Sequence, residues 1–94
     1  MVIIMESNPA TVQRLATKYK VGTVLKSSRK DKKYMVLDPN DKLIHFGQRG
    51  YEDFTAHGDQ ARLRNFKSRN AKWKDAPKWT AAWLSYHLLW NDSV

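Results

Sequence analysis

Two histidines and three carboxylates fall within the run HFGQRGYEDFTAHGD, from His45 to Asp59. Imidazole nitrogens and carboxylate oxygens are donors that hold zinc, and clustered carboxylates hold the ions that activate water for phosphodiester cleavage. His57 with Asp53 and Asp59 is the densest such group, Glu52 widens it, and His45 and His87 are the remaining imidazoles. The spacing does not favour a metal. There is no H-x-x-x-H or H-E-x-x-H pair and no cysteine to donate a thiolate. His45 falls in an expected strand, where an imidazole more often packs and bonds backbone, while Asp59 and His57 are explained as a helix cap and a turn former. No metal site is therefore expected.

Nucleophilic and phosphate-loop chemistry has less support still. Ser27, Ser28, Ser68, Ser85 and Ser93 stand in no nucleophile-elbow context, and GQRG at residues 47–50 lacks the Lys-Ser/Thr that completes a nucleotide cradle. The expectation is a protein with no catalytic residue and no cofactor.

Charge says more about partners. Lys and Arg number 17 against 9 Asp and Glu, a net +8 on 94 residues. Such a charge bears on association rather than fold, and suits nucleic acid, an anionic membrane surface or an acidic face of another protein. The opening MVIIMES is a short apolar run without a basic start or a small-residue cleavage pattern, so it does not read as a signal peptide. Nothing approaches the roughly 20 apolar residues of a membrane span. A soluble protein within a cell, or within a particle made there, is expected. Without cysteine the domain has no disulfide, so packing must hold it, drawing on four Trp, four Tyr and three Phe.

The elements that must position these residues follow from periodicity and punctuation. In SNPATVQRLATKYKVG, Ser7 or Asn8 can cap a helix, Pro9 suits its first position, and Val12, Leu15, Ala16 and Tyr19 recur at helical spacing. Gly22 is the expected stop. With the apolar start this makes an N-terminal strand and helix extension over residues 1–22. Residues 23–26 suggest a strand running into the basic stretch Lys26, Arg29, Lys30, Lys32 and Lys33, either a solvated loop or a phosphate contact. In KKYMVLDPNDKLIHFG, two β-rich runs, 34–37 and 43–46, flank Asp38, Pro39, Asn40 and Asp41. That predicts a hairpin over 33–47, apolar on both faces and packed under helices on at least one.

Asp59 is placed to cap a helix running to Lys74 with Leu63, Phe66 and Trp73 on its apolar stripe. Arg62 and Arg69 border that stripe on one side, Lys67 and Lys74 on the other, and Arg64 and Lys72 face outward. No acid between Gln60 and Lys74 offsets them. Beyond Pro77, Thr80 can cap a last helix in which Trp79, Trp83, Tyr86 and Trp90 recur at spacings of four, three and four. Apolar on nearly all sides, it is expected in the core, with a base-stacking platform or a protein interface as rival uses. Between hairpin and basic helix, Gly47 and Gly50 bend the chain and Tyr51 and Phe54 are expected to plug the core, so that His45 to Asp59 forms an elbow from sheet to helix.

The residues His45, Phe46, Gly47, Gly50, Tyr51, Asp53, Phe54, Thr55, His57 and Asp59 fit a pattern H-F-G-x-x-G-Y-x-D-F/Y-T-x-H-x-D, with Arg69, Trp73, Leu88, Leu89 and Trp90 after it. In these residues the chain resembles a family of small proteins of large DNA viruses of protists and algae and of some aquatic phages. The resemblance spans Lys32 to Asn91, about two thirds of the chain. It implies viral origin, a place in the host-cell interior (cytoplasm, nucleus or viral factory) and in the virion, and no particular catalytic residue. The family often carries Arg-His after the basic helix. Here the pair is Arg69-Asn70, which removes a histidine that a metal site would use.

The expected architecture is α+β: a small antiparallel sheet packed with about three helices, one domain over 1–94 with 32–91 as its family-like core. The expected function is non-catalytic binding of nucleic acid, DNA ahead of RNA. Its contacts are to phosphates, through Lys30, Lys32, Lys33, Arg49, Arg62, Arg64, Arg69 and Lys72. The alternative is a virion structural protein, a minor capsid or cementing component docking on acidic viral structural proteins, with Trp79, Trp83 and Trp90 as aromatic anchors. A metal-dependent nuclease built on Asp53, His57 and Asp59 comes third.

Overall fold

A computed structural model describes residues 6–91, and the strand expected from the apolar start lies outside them. Helix α1 (Pro9–Lys18) begins where expected. Asn8 Oδ1 accepts the N–H groups of Ala10 and Thr11 at 3.1 and 3.3 Å, and Pro9 stands at the first helical position. Its end comes earlier than Gly22. Tyr19 is the last cap residue, Lys20 turns left-handed with φ 60°, and the Val21 N–H donates back to the Ala16 carbonyl at 2.8 Å. A lysine thus holds the backbone conformation usually given to glycine, at a cost of about 1 kcal/mol.

Strands β1 (Leu25–Lys26), β2 (Lys32–Leu37) and β3 (Leu43–Gln48) form one antiparallel sheet in the order β1-β2-β3. The hairpin is slightly longer than expected, its register running from Leu37↔Leu43 at the turn to Lys32↔Gln48 at the open end. Asp38 fixes the turn, its Oδ1 accepting the N–H groups of both Asn40 and Lys42 at 2.8 Å. Tyr34, Val36 and Phe46 are buried on the inner face, against Val12, Leu15 and Ala16 of α1 and Leu84, Leu88 and Leu89 of the C-terminal helix. The opposite face carries Leu25, Met35, Leu37, Leu43 and His45, and its three leucines are exposed. Only one apolar face is therefore covered.

After the sheet come a single helical turn, α2 (Phe54–His57), and α3 (Gln60–Arg69). Asp59 caps α3 as expected, its Oδ1 accepting from Ala61 and Arg62 at 2.9 and 3.2 Å. The helix stops well short of Lys74. Asn70 leaves helical geometry at φ −119° and donates its side-chain N–H to the Phe66 carbonyl at 3.1 Å, and Ala71–Asp75 follow as a 3-10 turn. Lys72, Trp73 and Lys74 are thus set off the α3 axis. Thr80 caps α4 (Ala81–Leu84), which passes directly into a π-helical turn, Ser85–Leu89. There the Trp90 N–H reaches back five residues to Ser85 at 3.2 Å. Among the described residues no helix is long and apolar enough to cross a membrane.

The C-terminal helix comes close to the hairpin at one point. Gly47 has φ 83°, and a Cβ there would lie 3.0 Å from a Leu89 methyl and 3.1 Å from Lys33 Cβ. Glycine at this position answers both the dihedral and the space.

Candidate functional site

At the end of the hairpin away from its turn, a cleft of about 450 Å³ opens between the sheet, the elbow, the end of α3 and the C-terminal helix. The hairpin supplies Lys32, Gly47 and Gln48, and the elbow supplies Tyr51 and Asp53. Phe66 and Arg69 enter from α3, with Trp73 from the 3-10 turn and Ser85 and Trp90 from the helix opposite. Its size is that of an ordinary small-ligand site.

Aromatic rings build one wall. Phe66 and Trp90 stack with centroids 4.3 Å apart and planes 4° from parallel, and Trp73 stands edge-on to Phe66 at 5.8 Å. Trp73 remains 36% exposed and Tyr51 68% exposed. Tyr51 therefore does not plug the core as its position suggested; the turn at Gly50 (φ 92°) delivers it to the surface. Of the three cations lining the cleft, Lys32, Lys33 and Arg69, Lys32 and Arg69 form no ion pair among the described residues.

Beneath the cleft lies a buried polar network. Lys33 Nζ donates to Asp53 Oδ2 and to the Glu6 carbonyl, each at 3.1 Å, with both charged side chains almost fully enclosed. Asp53 Oδ1 accepts from the N–H and hydroxyl of Thr55, whose hydroxyl oxygen accepts the Asn8 N–H at 2.9 Å. Tyr34 donates to Ser7 Oγ at 2.7 Å, and burial raises the Tyr34 phenol above its ordinary pKa, so it stays a donor. These bonds tie the segment before α1 to the elbow.

That network corrects the expectation for Lys33, whose ammonium is spent internally and cannot meet a phosphate in this conformation. Lys33 also separates the cleft from a second, shallower groove of about 270 Å³, bordered by Lys26, Arg49 and Glu6. Arg49 faces Glu6 at 4.0 Å rather than Asp53, and Arg62 faces Glu52 at 3.8 Å. Both pairs are partly exposed, and such pairs hold their partners weakly. Lys30, Arg64 and Lys72 are exposed and line neither groove.

The C-terminal tryptophans follow the core expectation more than the role of partner anchors. Trp79, Trp83 and Trp90 are partly buried against the core. Trp83 meets Tyr19 edge-on at 5.8 Å and His87 at 4.4 Å, and the Lys78 ammonium lies over Trp79 and Trp83. Spacing put Trp83 and Trp90 on one face, but the π turn between them shifts the phase, and Trp90 packs on Phe66 instead.

The loop that looked most like a metal site is occupied by structural bonds. Asp53 holds Lys33 and caps α2, and Asp59 caps α3. His57 Nδ1 accepts the Asp59 N–H at 2.9 Å, while its Nε2 is buried with no partner among the described residues. Burial first, and then the Arg62 charge, lower the His57 pKa below its ordinary 6.5. His45 pairs with Ser27 Oγ at 2.7 Å and His87 with the Lys74 carbonyl at 3.1 Å. Among the described residues no three His, Cys, Asp or Glu side chains gather around a common point.

Residues 22–70, just over half of the chain, match the model of a family of unknown function, DUF5754. The chain belongs to this family. The span shared with DUF5754 contains the whole sheet, the elbow and α3, and with them Lys32, Tyr51 and Arg69 of the cleft. Trp73, Ser85 and Trp90, on the far wall, lie beyond it. No curated protein and no solved structure matches the chain.

Proposed function

We propose that this DUF5754 protein is a virus-encoded, non-catalytic binder of nucleic acid, DNA ahead of RNA, that works inside the host cell and is packaged in the virion. The viral part rests on the resemblance carried by His45 to Asp59, Arg69, Trp73 and Leu88 to Trp90. The binding part rests on one observation. Lys32 and Arg69, far apart in sequence and unpaired among the described residues, line the same aromatic-walled cleft, next to a groove bordered by Lys26 and Arg49. Cations without carboxylate partners are available to phosphate oxygens, and such contacts carry little sequence information.

Anisotropy titration of labelled random oligonucleotides over a salt series tests this. Binding at low salt should weaken along a straight line in log K against log salt. Arg69→Glu should weaken it far more than Arg64→Glu, although both change the net charge equally. Absent binding at low salt, or affinity indifferent to salt, overturns the proposal, and equal losses from the two variants overturn the cleft as its locus.

A second reading has an observation of its own. The outer sheet face exposes Leu25, Leu37 and Leu43 together, which suits docking on a virion protein in a minor capsid or cementing role. Detection in the shell of purified particles, with no nucleic-acid binding by the pure protein, would favour it. The metal-dependent nuclease reading has no such support, because Asp53 and Asp59 are engaged in the ion pair and caps described above.

A further inference from the structure

We propose that the cleft is a nucleobase pocket, so that the nucleic acid bound is single-stranded and at least one of its bases leaves the stack to enter the protein. The proposal rests on the nucleic-acid reading above and deepens it.

The walls of the cleft are what phosphate binding alone does not require. Phosphates need cations at a surface, whereas this cleft is lined by Phe66, Trp73, Trp90 and Leu89 and is large enough for a planar heterocycle. The Phe66–Trp90 stack makes a rigid backing, since each ring already has its neighbour. Trp73, braced edge-on against Phe66, keeps part of its indole in solvent, and Tyr51, which lines the same cleft, stands mostly exposed. Two accessible aromatics on separate segments, both lining one cleft, are the means by which proteins hold unpaired bases. Lys32 and Arg69 are then available to the phosphates on either side of the captured nucleotide.

A duplex cannot use this arrangement, because its base faces are covered by their neighbours in the stack. Gln48, Asn70 and Ser85 line the cleft together with the carboxylates Glu52 and Asp53, which face Arg62 and Lys33, so capture rests on ring stacking, which tolerates any base. The π turn fits this role. It begins at Ser85, on the cleft wall, and its extra residue carries Trp90 onto Phe66, completing the backing.

The experiment uses three probes of equal length: a single strand of thymidine nucleotides, the same strand with abasic sites throughout, and a duplex. The abasic strand keeps the phosphates and removes the bases, so it separates the two contributions. The full strand should bind at least about tenfold more tightly than the abasic strand, as one stacked base predicts. Tyr51→Ala, a change at an exposed residue, and Trp73→Leu should each bring the full strand toward the abasic level while leaving abasic binding unchanged. Arg69→Ala should weaken both strands alike.

Equal affinity for full and abasic strands overturns the base pocket and leaves phosphate binding standing. Preference for the duplex also overturns it. If none of the three probes binds at low salt, both the pocket and the nucleic-acid reading fall.

Discussion

Lys33 shows how environment decides what a charged residue does. Its neighbour Lys32 lies at the edge of the cleft, whereas Lys33 threads its stem past Gly47 and ends against Asp53 and the Glu6 carbonyl. Lys33→Met should leave the Asp53 carboxylate buried without its counter-charge and cost about 3–5 kcal/mol, measured by denaturant midpoint. Adding Asp53→Asn should recover part of the loss, since the amide oxygen can still cap α2. His57 makes a second prediction. Its folded pKa lies below 6.5, so between the two values the unfolded chain binds the proton more readily. Its contribution is present above 6.5 and is lost as pH falls through the lower, folded value. Wild-type protein should lose stability over that window, and His57→Gln should show a smaller loss by thermal melting at stepped pH.

At the scale of elements, α3 is held differently from the hairpin. The hairpin lies in the central cluster, whereas Leu63 and Phe66 of α3 are not part of it and Phe66 stacks on Trp90, which packs against the cluster's edge. Trp90→Ala should therefore act locally, costing about 3 kcal/mol for the lost aromatic. Hydrogen exchange should quicken along Gln60–Arg69 while β2 and β3 stay protected; uniform loss across both would show that α3 and the sheet open together. The hairpin and the caps at Asn8, Asp59 and Thr80 were legible because each is a local bargain between a side chain and backbone a few residues away. The ends of α1 and α3 were not. Lys20 takes the left-handed position that Gly22 was expected to fill, and Asn70 ends a basic run whose charges and Trp73 continued the helical period to Lys74.

For the molecule as a whole, composition set the net charge of +8 but not its arrangement. Arg49 and Arg62 face Glu6 and Glu52, Lys33 is buried, and Lys30, Arg64 and Lys72 lie outside the cleft lining, so of the eight expected contacts only Lys32 and Arg69 line the cleft without a carboxylate partner among the described residues. Among the aromatics one position departs from its expectation. The Trp row packs against the core, as expected of a helix apolar on nearly all sides, while Tyr51, expected inside, is the most exposed large aromatic of the cleft. The sequence by itself determined the α+β class, the hairpin with its turn, the helix starts and the basic character, because propensity, capping and charge act over a few residues. Only the tertiary structure decided which cations lack a carboxylate partner among the described residues, where the π turn sends Trp90, and that Lys32, Tyr51, Arg69 and Trp73 share one cleft. Those outcomes depend on which surfaces meet when distant segments pack, and no local pattern encodes that.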